Sequence, residues 1–133
     1  MSPRFFTLRE ANDALPWLRR QLSEIQSLQS RANELAQAVM QLTQMAASNG
    51  HSDIGLRIEK SKKELEEANA ELAKLFEGVQ ERGIILRDPS RGLVDFPSLD
   101  ARGTEIYLCW LLGEDTIGFW HTPESGFGGR QPL

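Results

Sequence analysis

The chain has 133 residues, of which 40% are hydrophobic and 26% charged, and its formal net charge is −4. These proportions are typical of a globular protein and exclude extensive disorder. Basic residues do not outnumber acidic ones in either the first 82 residues or the remainder, which argues against nucleic acid as a partner. A single cysteine excludes an internal disulfide. No apolar run is long enough for a signal peptide or a membrane span, so we expect a cytoplasmic protein without a membrane partner.

The first helix is predicted to begin at a capping box. Thr7 and Glu10 have the spacing at which a threonine hydroxyl and a glutamate each accept a backbone N–H at the start of a helix. Pro16 follows within three turns, and because proline lacks an N–H group it predicts a kink or a break near Leu15. If the helix breaks, Asp13 would cap a new helix that begins around Pro16.

A long apolar stripe follows, with residues spaced alternately three and four apart, which is typical of a helix that buries one face. Asn49-Gly50 indicates a turn, and a second striped helix is predicted over residues 56–80. Since neither helix can bury its stripe alone, we predict an antiparallel, coiled-coil-like hairpin. The first stripe comprises Leu15, Leu18, Leu22, Ile25, Leu28, Ala32, Leu35, Val39, Leu42 and Ala46. The second comprises Ile58, Ser61, Leu65, Ala68, Leu72, Leu75 and Val79.

The chain changes character at Gly83, after which turn residues separate short apolar segments. These segments predict a small antiparallel meander, with Pro97 ending its second strand. The predicted fold class is therefore α+β, a long antiparallel helical hairpin followed by a small antiparallel sheet. We expect one domain over 1–133, with a helical region at 1–82 and a β-rich region at 83–133. The predicted strands span 84–87, 93–96, 105–112 and 117–121.

The register of the last hairpin decides which side chains share a face. Pairing Leu112 with Ile117 makes both faces of the sheet largely apolar. One face would cover the helices and include Trp110, and the other would need the N-terminal helix, the C-terminal tail or a second subunit as its cover. In this register Trp110 faces Phe119 and Leu108 faces His121 on one side, while Cys109 faces Trp120 and Tyr107 faces Thr122 on the other.

Several short segments of the C-terminal part, taken together, resemble a family. They are Gly-Leu-Val-Asp-Phe-Pro, Tyr-Leu-Cys-Trp, Gly-Glu, Phe-Trp-His and Gly-Gly-Arg-Gln-Pro-Leu, with Phe-Thr-Leu-Arg-Glu-Ala-Asn near the start. In these segments the chain is similar to an uncharacterised bacterial family, domain of unknown function 2203. The resemblance covers essentially the whole chain. It implies helices followed by the C-terminal signature, and it implies no activity, cofactor or catalytic residue.

A metal site is one interpretation of the polar residues in the β-rich region. His121 and Glu124 are three residues apart, and Asp95 lies on a nearby strand, so a mixed imidazole and carboxylate site is conceivable. The alternative is that His121 forms a hydrogen bond at a strand end while Glu124 lies in a loop. Cys109, within an apolar run, is expected to pack rather than react.

An anion site is a second interpretation, centred on the glycine-rich segment that ends in Arg130. Glycines allow successive N–H groups to turn toward an anion, and the arginine fork suits a carboxylate or phosphate. The alternative is that Arg130 pairs with Asp95 or Glu105 and holds the tail against the sheet. The candidate ligand-binding residues are thus Asp95, His121, Glu124 and Arg130.

Two functions follow from these patterns. The first is a non-catalytic interaction or assembly protein that self-associates as a homo-oligomer and can dock a protein partner through the helical hairpin. The second is a protein that binds a small anionic ligand or a metal, either a binding protein or an enzyme, with its site in the β-rich region. The sequence identifies no cofactor and does not decide whether the protein is an enzyme.

Overall fold

The computed structural model describes residues 4–49 and 52–133. Gly50, in the predicted turn between the helices, and His51 lie outside the described residues. The chain divides into two compact units. One comprises the described residues up to Ser23 together with Phe76–Leu133, and the other comprises Glu24–Leu75.

The first helix, α1, spans Leu8–Asn49, and its capping box is confirmed. The N–H of Thr7 donates to Glu10 Oε1 over 3.0 Å, and the N–H of Glu10 donates to Thr7 Oγ1 over 3.1 Å. Of the two outcomes predicted near Leu15, a kink or a break, the break is wrong, because α1 continues through Pro16 as one helix. Buried Leu15 and Leu18 flank Pro16, and this packing offsets the ~3 kcal/mol that an interior proline costs.

The second helix, α2, spans Ser52–Glu81, and the helical hairpin is confirmed. It begins ahead of the predicted residue 56, and Ile54 in its added first turn is buried. In the unit Glu24–Leu75, Arg31 Nη2 lies 3.4 Å from Glu64 Oε2 between the two helices. The predicted apolar stripes provide most of the buried residues of this unit, and Ile54, which lies outside both stripes, adds to them. The buried stripe residues are Ile25, Ala32, Leu35, Leu42, Ala68 and Leu72.

The β-rich region forms a five-stranded antiparallel meander in the order β1-β2-β3-β4-β5, which confirms the α+β fold. The fifth strand was not predicted, because it is only two residues long and contains a proline. A short 3₁₀ helix, η1, Phe127–Gly129, precedes it. The strands are β1 Ile85–Asp88, β2 Leu93–Leu99, β3 Glu105–Leu111, β4 Phe119–His121 and β5 Gln131–Pro132.

Pro97 does not end β2, contrary to the prediction. The pairing of β1 with β2 stops at Asp95, so β1 does not need a backbone N–H donor at position 97. The carbonyl oxygen of Pro97 instead accepts the N–H of Phe6 over 2.7 Å. In a strand the N and the C=O of one residue point the same way, so the missing donor of Pro97 faces this side and not β3.

One face of the sheet packs against the helical residues of the same unit, and Trp110 is at its centre with no exposed surface. The placement of Trp110 on the core face is therefore confirmed. Its indole N–H donates to the carbonyl oxygen of Glu114 over 3.0 Å. The buried core residues are Phe6, Ala11, Leu15, Leu18, Leu22, Val79, Ile84, Val94, Phe96, Ile106, Leu108, Trp110 and Ile117.

The predicted register of the last hairpin is wrong by one residue. Ile117 is not in β4, since it is buried in the core and its N–H donates to Asn12 Oδ1 over 2.9 Å. Leu112 also leaves the pairing with β4, and its N–H donates to the carbonyl oxygen of Gly92. A one-residue shift moves every side chain of β4 to the opposite face. The observed pairs are Tyr107 with His121, Leu108 with Trp120 and Cys109 with Phe119.

Candidate functional site

The corrected register places His121 on the face of the sheet opposite the core, together with Asp95 and Cys109. Asp95 on β2 is directly opposite Cys109 on β3, and Tyr107 on β3 is directly opposite His121 on β4. Because side chains alternate along a strand, these four residues share one face. Asp95, Cys109 and His121 are each at most 3% exposed.

Asp95 is held by two side chains. Its Oδ2 accepts a hydrogen bond from Arg87 Nε over 2.9 Å, and its Oδ1 lies 2.9 Å from His121 Nε2. A carboxylate in an apolar strand needs such partners, since burying it alone would be very unfavourable. Arg87 comes from β1, where the pairing shifts between Leu86 and Asp88, and irregularities of this kind redirect side chains.

Both ring nitrogens of His121 face oxygen atoms. Nδ1 lies 2.8 Å from the carbonyl oxygen of Thr122, which can only accept, so Nδ1 carries a hydrogen and donates. Nε2 faces the Asp95 carboxyl group, and one proton is shared in that contact. The ring orientation is therefore fixed at both nitrogens, with Nε2 directed at the Asp95 carboxyl group.

The thiol of Cys109 is the third member of this group. Burial, and next the negative charge of Asp95, raise the pKa of the Cys109 thiol to about 12. The group is thus protonated at neutral pH, and this argues against a free thiolate nucleophile. β3 is also connected to the C-terminal segment, residues 122–133, because Arg130 Nη2 donates to the Cys109 carbonyl oxygen over 3.3 Å.

One ligand-type atom from each of Asp95, Cys109 and His121 lies within 4.8 Å of the other two. In the part of the chain that the structure describes, this is the one group of three histidine, cysteine or acidic residues with that geometry. Oxygen, thiolate sulfur and imidazole nitrogen are the ligands that Zn²⁺ takes in proteins. The group therefore has the donor set and the proximity for a transition-metal site.

A cleft of about 310 Å³ opens above the cluster. The C-terminal segment forms one wall of it, so this segment, one of the three predicted covers, lies over part of the second face of the sheet. The cleft is lined by Arg87, Leu93, Asp95, Cys109, His121, Pro123, Glu124, Gly126 and Phe127.

Of the four candidate residues predicted from the sequence, the structure brings two into contact and places the other two elsewhere. Asp95 and His121 are in contact, whereas Glu124 is an exposed residue of the cleft wall and is not in the three-residue cluster. The pairing of Arg130 with Asp95 or Glu105 is wrong. Arg130 Nη2 instead donates to Glu114, over 2.8 Å to Oε1 and 3.0 Å to Oε2.

Sequence reasoning missed Arg87 and the role of Cys109. Pairing β2 with β3 through the turn at 100–104 would have placed Cys109 opposite Asp95, so that signal was present in the sequence. No such signal was present for Arg87, because the direction of its side chain depends on the shift in pairing between Leu86 and Asp88 in β1.

Fold and site together define an α+β protein whose five-stranded meander carries a buried Asp–Cys–His cluster beneath a cleft. The chain belongs to the family described as uncharacterized conserved protein DUF2203, which matches residues 4–133. No curated protein and no solved structure has a significant match to the chain. None of the helices in residues 4–49 and 52–133 is long and apolar enough to cross a membrane.

Proposed function

We propose that this protein binds a divalent transition metal, Zn²⁺ foremost, through Asp95, Cys109 and His121. The observation that carries the proposal is the convergence of three different ligand atoms within 4.8 Å at a buried position beneath a cleft. A mixed oxygen, sulfur and nitrogen set favours Zn²⁺ over Mg²⁺ or Ca²⁺, which prefer oxygen ligands alone.

The surroundings of the cluster support this assignment. Histidines that bind metals almost always donate their second ring N–H to a carbonyl or carboxylate, and His121 Nδ1 does so to Thr122. The carboxyl group of Asp95 is likewise held at its other oxygen by Arg87. Both ligands are thus oriented by partners that a metal would leave in place.

Metal binding requires changes in both the geometry and the protonation of the cluster. Ligand atoms around a tetrahedral Zn²⁺ are roughly 3.5 Å apart, so the 2.9 Å contact between Asp95 and His121 must open slightly. The proton between His121 Nε2 and Asp95 Oδ1 and the proton of the Cys109 thiol must both leave to solvent, and a bound metal ion supplies the free energy for this. Three protein ligands leave a fourth position for water or a ligand from the cleft, which is the arrangement of a catalytic rather than a structural zinc site.

Cobalt substitution provides the sharpest test. After treatment with a chelator, one equivalent of Co²⁺ should give a sulfur-to-cobalt charge-transfer band, and one Zn²⁺ per chain should displace it. Cys109→Ser should remove the band, and His121→Gln should weaken metal binding. Glu105→Gln, an exposed carboxylate on the same sheet, is the matched control.

The same titration examines Glu124. If Glu124 provides the fourth ligand, Glu124→Gln lowers metal affinity, whereas a water ligand leaves the affinity unchanged. A protein that keeps its fold, as judged by near-ultraviolet circular dichroism, and binds no metal at one equivalent would contradict the proposal. The Asp95–His121 pair would then serve the fold alone.

Self-association is a second candidate, and one apolar groove favours it. Phe5, Leu8, Leu99 and Leu133 are each 38–57% exposed and line a groove of about 590 Å³. Contiguous exposed apolar surface is typical of an interface. Leu99→Glu should shift a homo-oligomer toward the monomer in sedimentation velocity, while Met40→Glu, at another exposed apolar residue, should not. A wild-type monomer at all concentrations would exclude this candidate.

A further inference from the structure

We infer that the cleft takes a small oxyanion, a carboxylate or a phosphate, that bridges the metal and the guanidinium of Arg87. This inference rests on the proposed metal site and adds the class of ligand that the site recognises. Arg87 lines the cleft, and 44% of its side chain is exposed, in contrast to the buried ligand residues beneath it.

Arg87 is held in place before any ligand binds. Its Nε donates to Asp95 Oδ2 over 2.9 Å, and its guanidinium carbon lies 5.2 Å from the centroid of the Tyr107 ring. The hydrogen bond to Asp95 raises the pKa of Arg87 above its ordinary high value, so the group is charged at all relevant pH values. The guanidinium also carries two Nη groups, with Tyr107 beside it, and a planar fork of this kind suits a carboxylate or phosphate.

The carboxyl group of Asp95 sets the distance between the two positive centres. One of its oxygens would bind the metal and the other already binds Arg87, so both centres lie on the same carboxyl group. An oxyanion has a similar spacing between its own oxygens. It can therefore place one oxygen on the fourth metal position and another on the Nη groups of Arg87.

The charges around the cleft agree with an anionic ligand. Asp95 and the Cys109 thiolate would neutralise a divalent metal, and Arg87 then leaves one positive charge at the base of the cleft. The Glu124 carboxylate lies at the exposed rim, where solvent screens its charge. Arg130 does not contribute, because Glu114 pairs with it.

The size of the cleft limits the ligand. About 310 Å³ is near the lower end of the range for small-molecule sites. The ligand is therefore of metabolite size, and its anionic end lies at Arg87. A hydroxyl or amine elsewhere on the ligand would be the group that meets Glu124.

The test uses the Co²⁺-loaded full chain, with acetate and inorganic phosphate as probes and acetamide as the neutral control. Acetate or phosphate should change the ligand-field bands saturably, and acetamide should not. The relative affinities of the two anions distinguish a carboxylate ligand from a phosphate ligand. Arg87→Gln should weaken anion binding roughly tenfold to a hundredfold, as expected for a charge-assisted hydrogen bond, while one cobalt per chain is still bound.

Two further variants separate the charge of Arg87 from its fork geometry and from general arginine effects. Arg102→Gln, at an exposed arginine in the turn between β2 and β3, should leave anion affinity unchanged. Arg87→Lys keeps the charge without the fork and should recover only part of the affinity. Cobalt bound without any anion response would overturn this inference and leave the metal site standing. Failure to bind cobalt would overturn both, and the two failures are therefore distinguishable.

Discussion

Asp95 and His121 lie on strands that are not neighbours, and their side chains meet across β3 with Oδ1 and Nε2 2.9 Å apart. The contact joins β2 to β4 over the face that carries Cys109. Since both residues are at most 3% exposed, the pair links the stability of the sheet to the state of the candidate site.

Asp95→Asn should destabilise the metal-free protein by about 3 kcal/mol, because it leaves the His121 and Arg87 groups without their charged partner. We place the effect near the lower end of the range for buried pairs, since Arg87 is partly exposed. Urea unfolding at neutral pH measures it. Glu105→Gln, at an exposed position, should change the free energy of unfolding by less than about 0.5 kcal/mol. Equal effects from the two variants would show that the buried contact contributes little.

Cys109 should make the metal-free protein less stable at high pH. Its pKa is raised from 9.0 to about 12 by burial and by Asp95, so between these values the unfolded chain loses a proton that the folded protein retains. The unfolded state then binds fewer protons, and the free energy of unfolding falls with rising pH by up to about 1.4 kcal/mol per unit. The contribution is complete below pH 9 and disappears toward pH 12.

Denaturant unfolding at several pH values in the presence of a chelator, with Cys109→Ala as the comparison, measures this dependence. The free energy of unfolding of Cys109→Ala should fall less steeply between pH 9 and pH 12 than that of the wild type, whatever the stability of the variant at pH 7. An identical slope in both proteins would mean that the buried thiol does not carry the effect.

The parts of the fold that follow from periodicity were predictable. The alternating spacing of Leu35 and Leu42 in α1, and of Ala68 and Leu72 in α2, predicted buried faces without any tertiary information. The α+β class followed in the same way. These patterns depend on neighbours along the chain, which the sequence presents directly.

The candidate site was predictable only in part, because it depends on the register of one hairpin. Asp95 and His121 were identified by residue type, but a shift of one residue assigned His121 to the core face. In the structure Ile117 lies outside the strand pairing, and its N–H donates to Asn12 Oδ1, 105 positions away. A local pattern cannot reveal such a contact.

Arg130 and Glu114 should be coupled energetically. Their two short contacts are largely shielded, with side chains 14% and 24% exposed, and Glu114 Oε1 also accepts the N–H of Leu111 over 2.8 Å. In a double-mutant cycle with Arg130→Gln and Glu114→Gln, we expect a coupling energy of about 1–2 kcal/mol. A value within error of zero would show that the C-terminal segment is held by its other contacts.

Deletion of residues 126–133 should destabilise the fold more than either single substitution. It removes Arg130 together with β5 and with Phe127, which lines the cleft. The face that carries Cys109 would then lose its cover. Thermal unfolding of the truncated protein measures this, and an unchanged melting temperature would contradict the assigned role of the segment.

Trp110→Ala should cost about 3–5 kcal/mol, the range for removing a large aromatic side chain from a packed core. Trp110 has no exposed surface and lies in the core face of β3, opposite Val94. Trp110→Phe should cost less, because the ring still fills part of the space. The carbonyl oxygen of Glu114 would lose the indole donor but keep the hydrogen bond from Arg19. Urea unfolding measures both variants. A loss below about 1 kcal/mol for Trp110→Ala would be incompatible with this packing, and would place β3 in the opposite orientation, with Cys109 facing the helices.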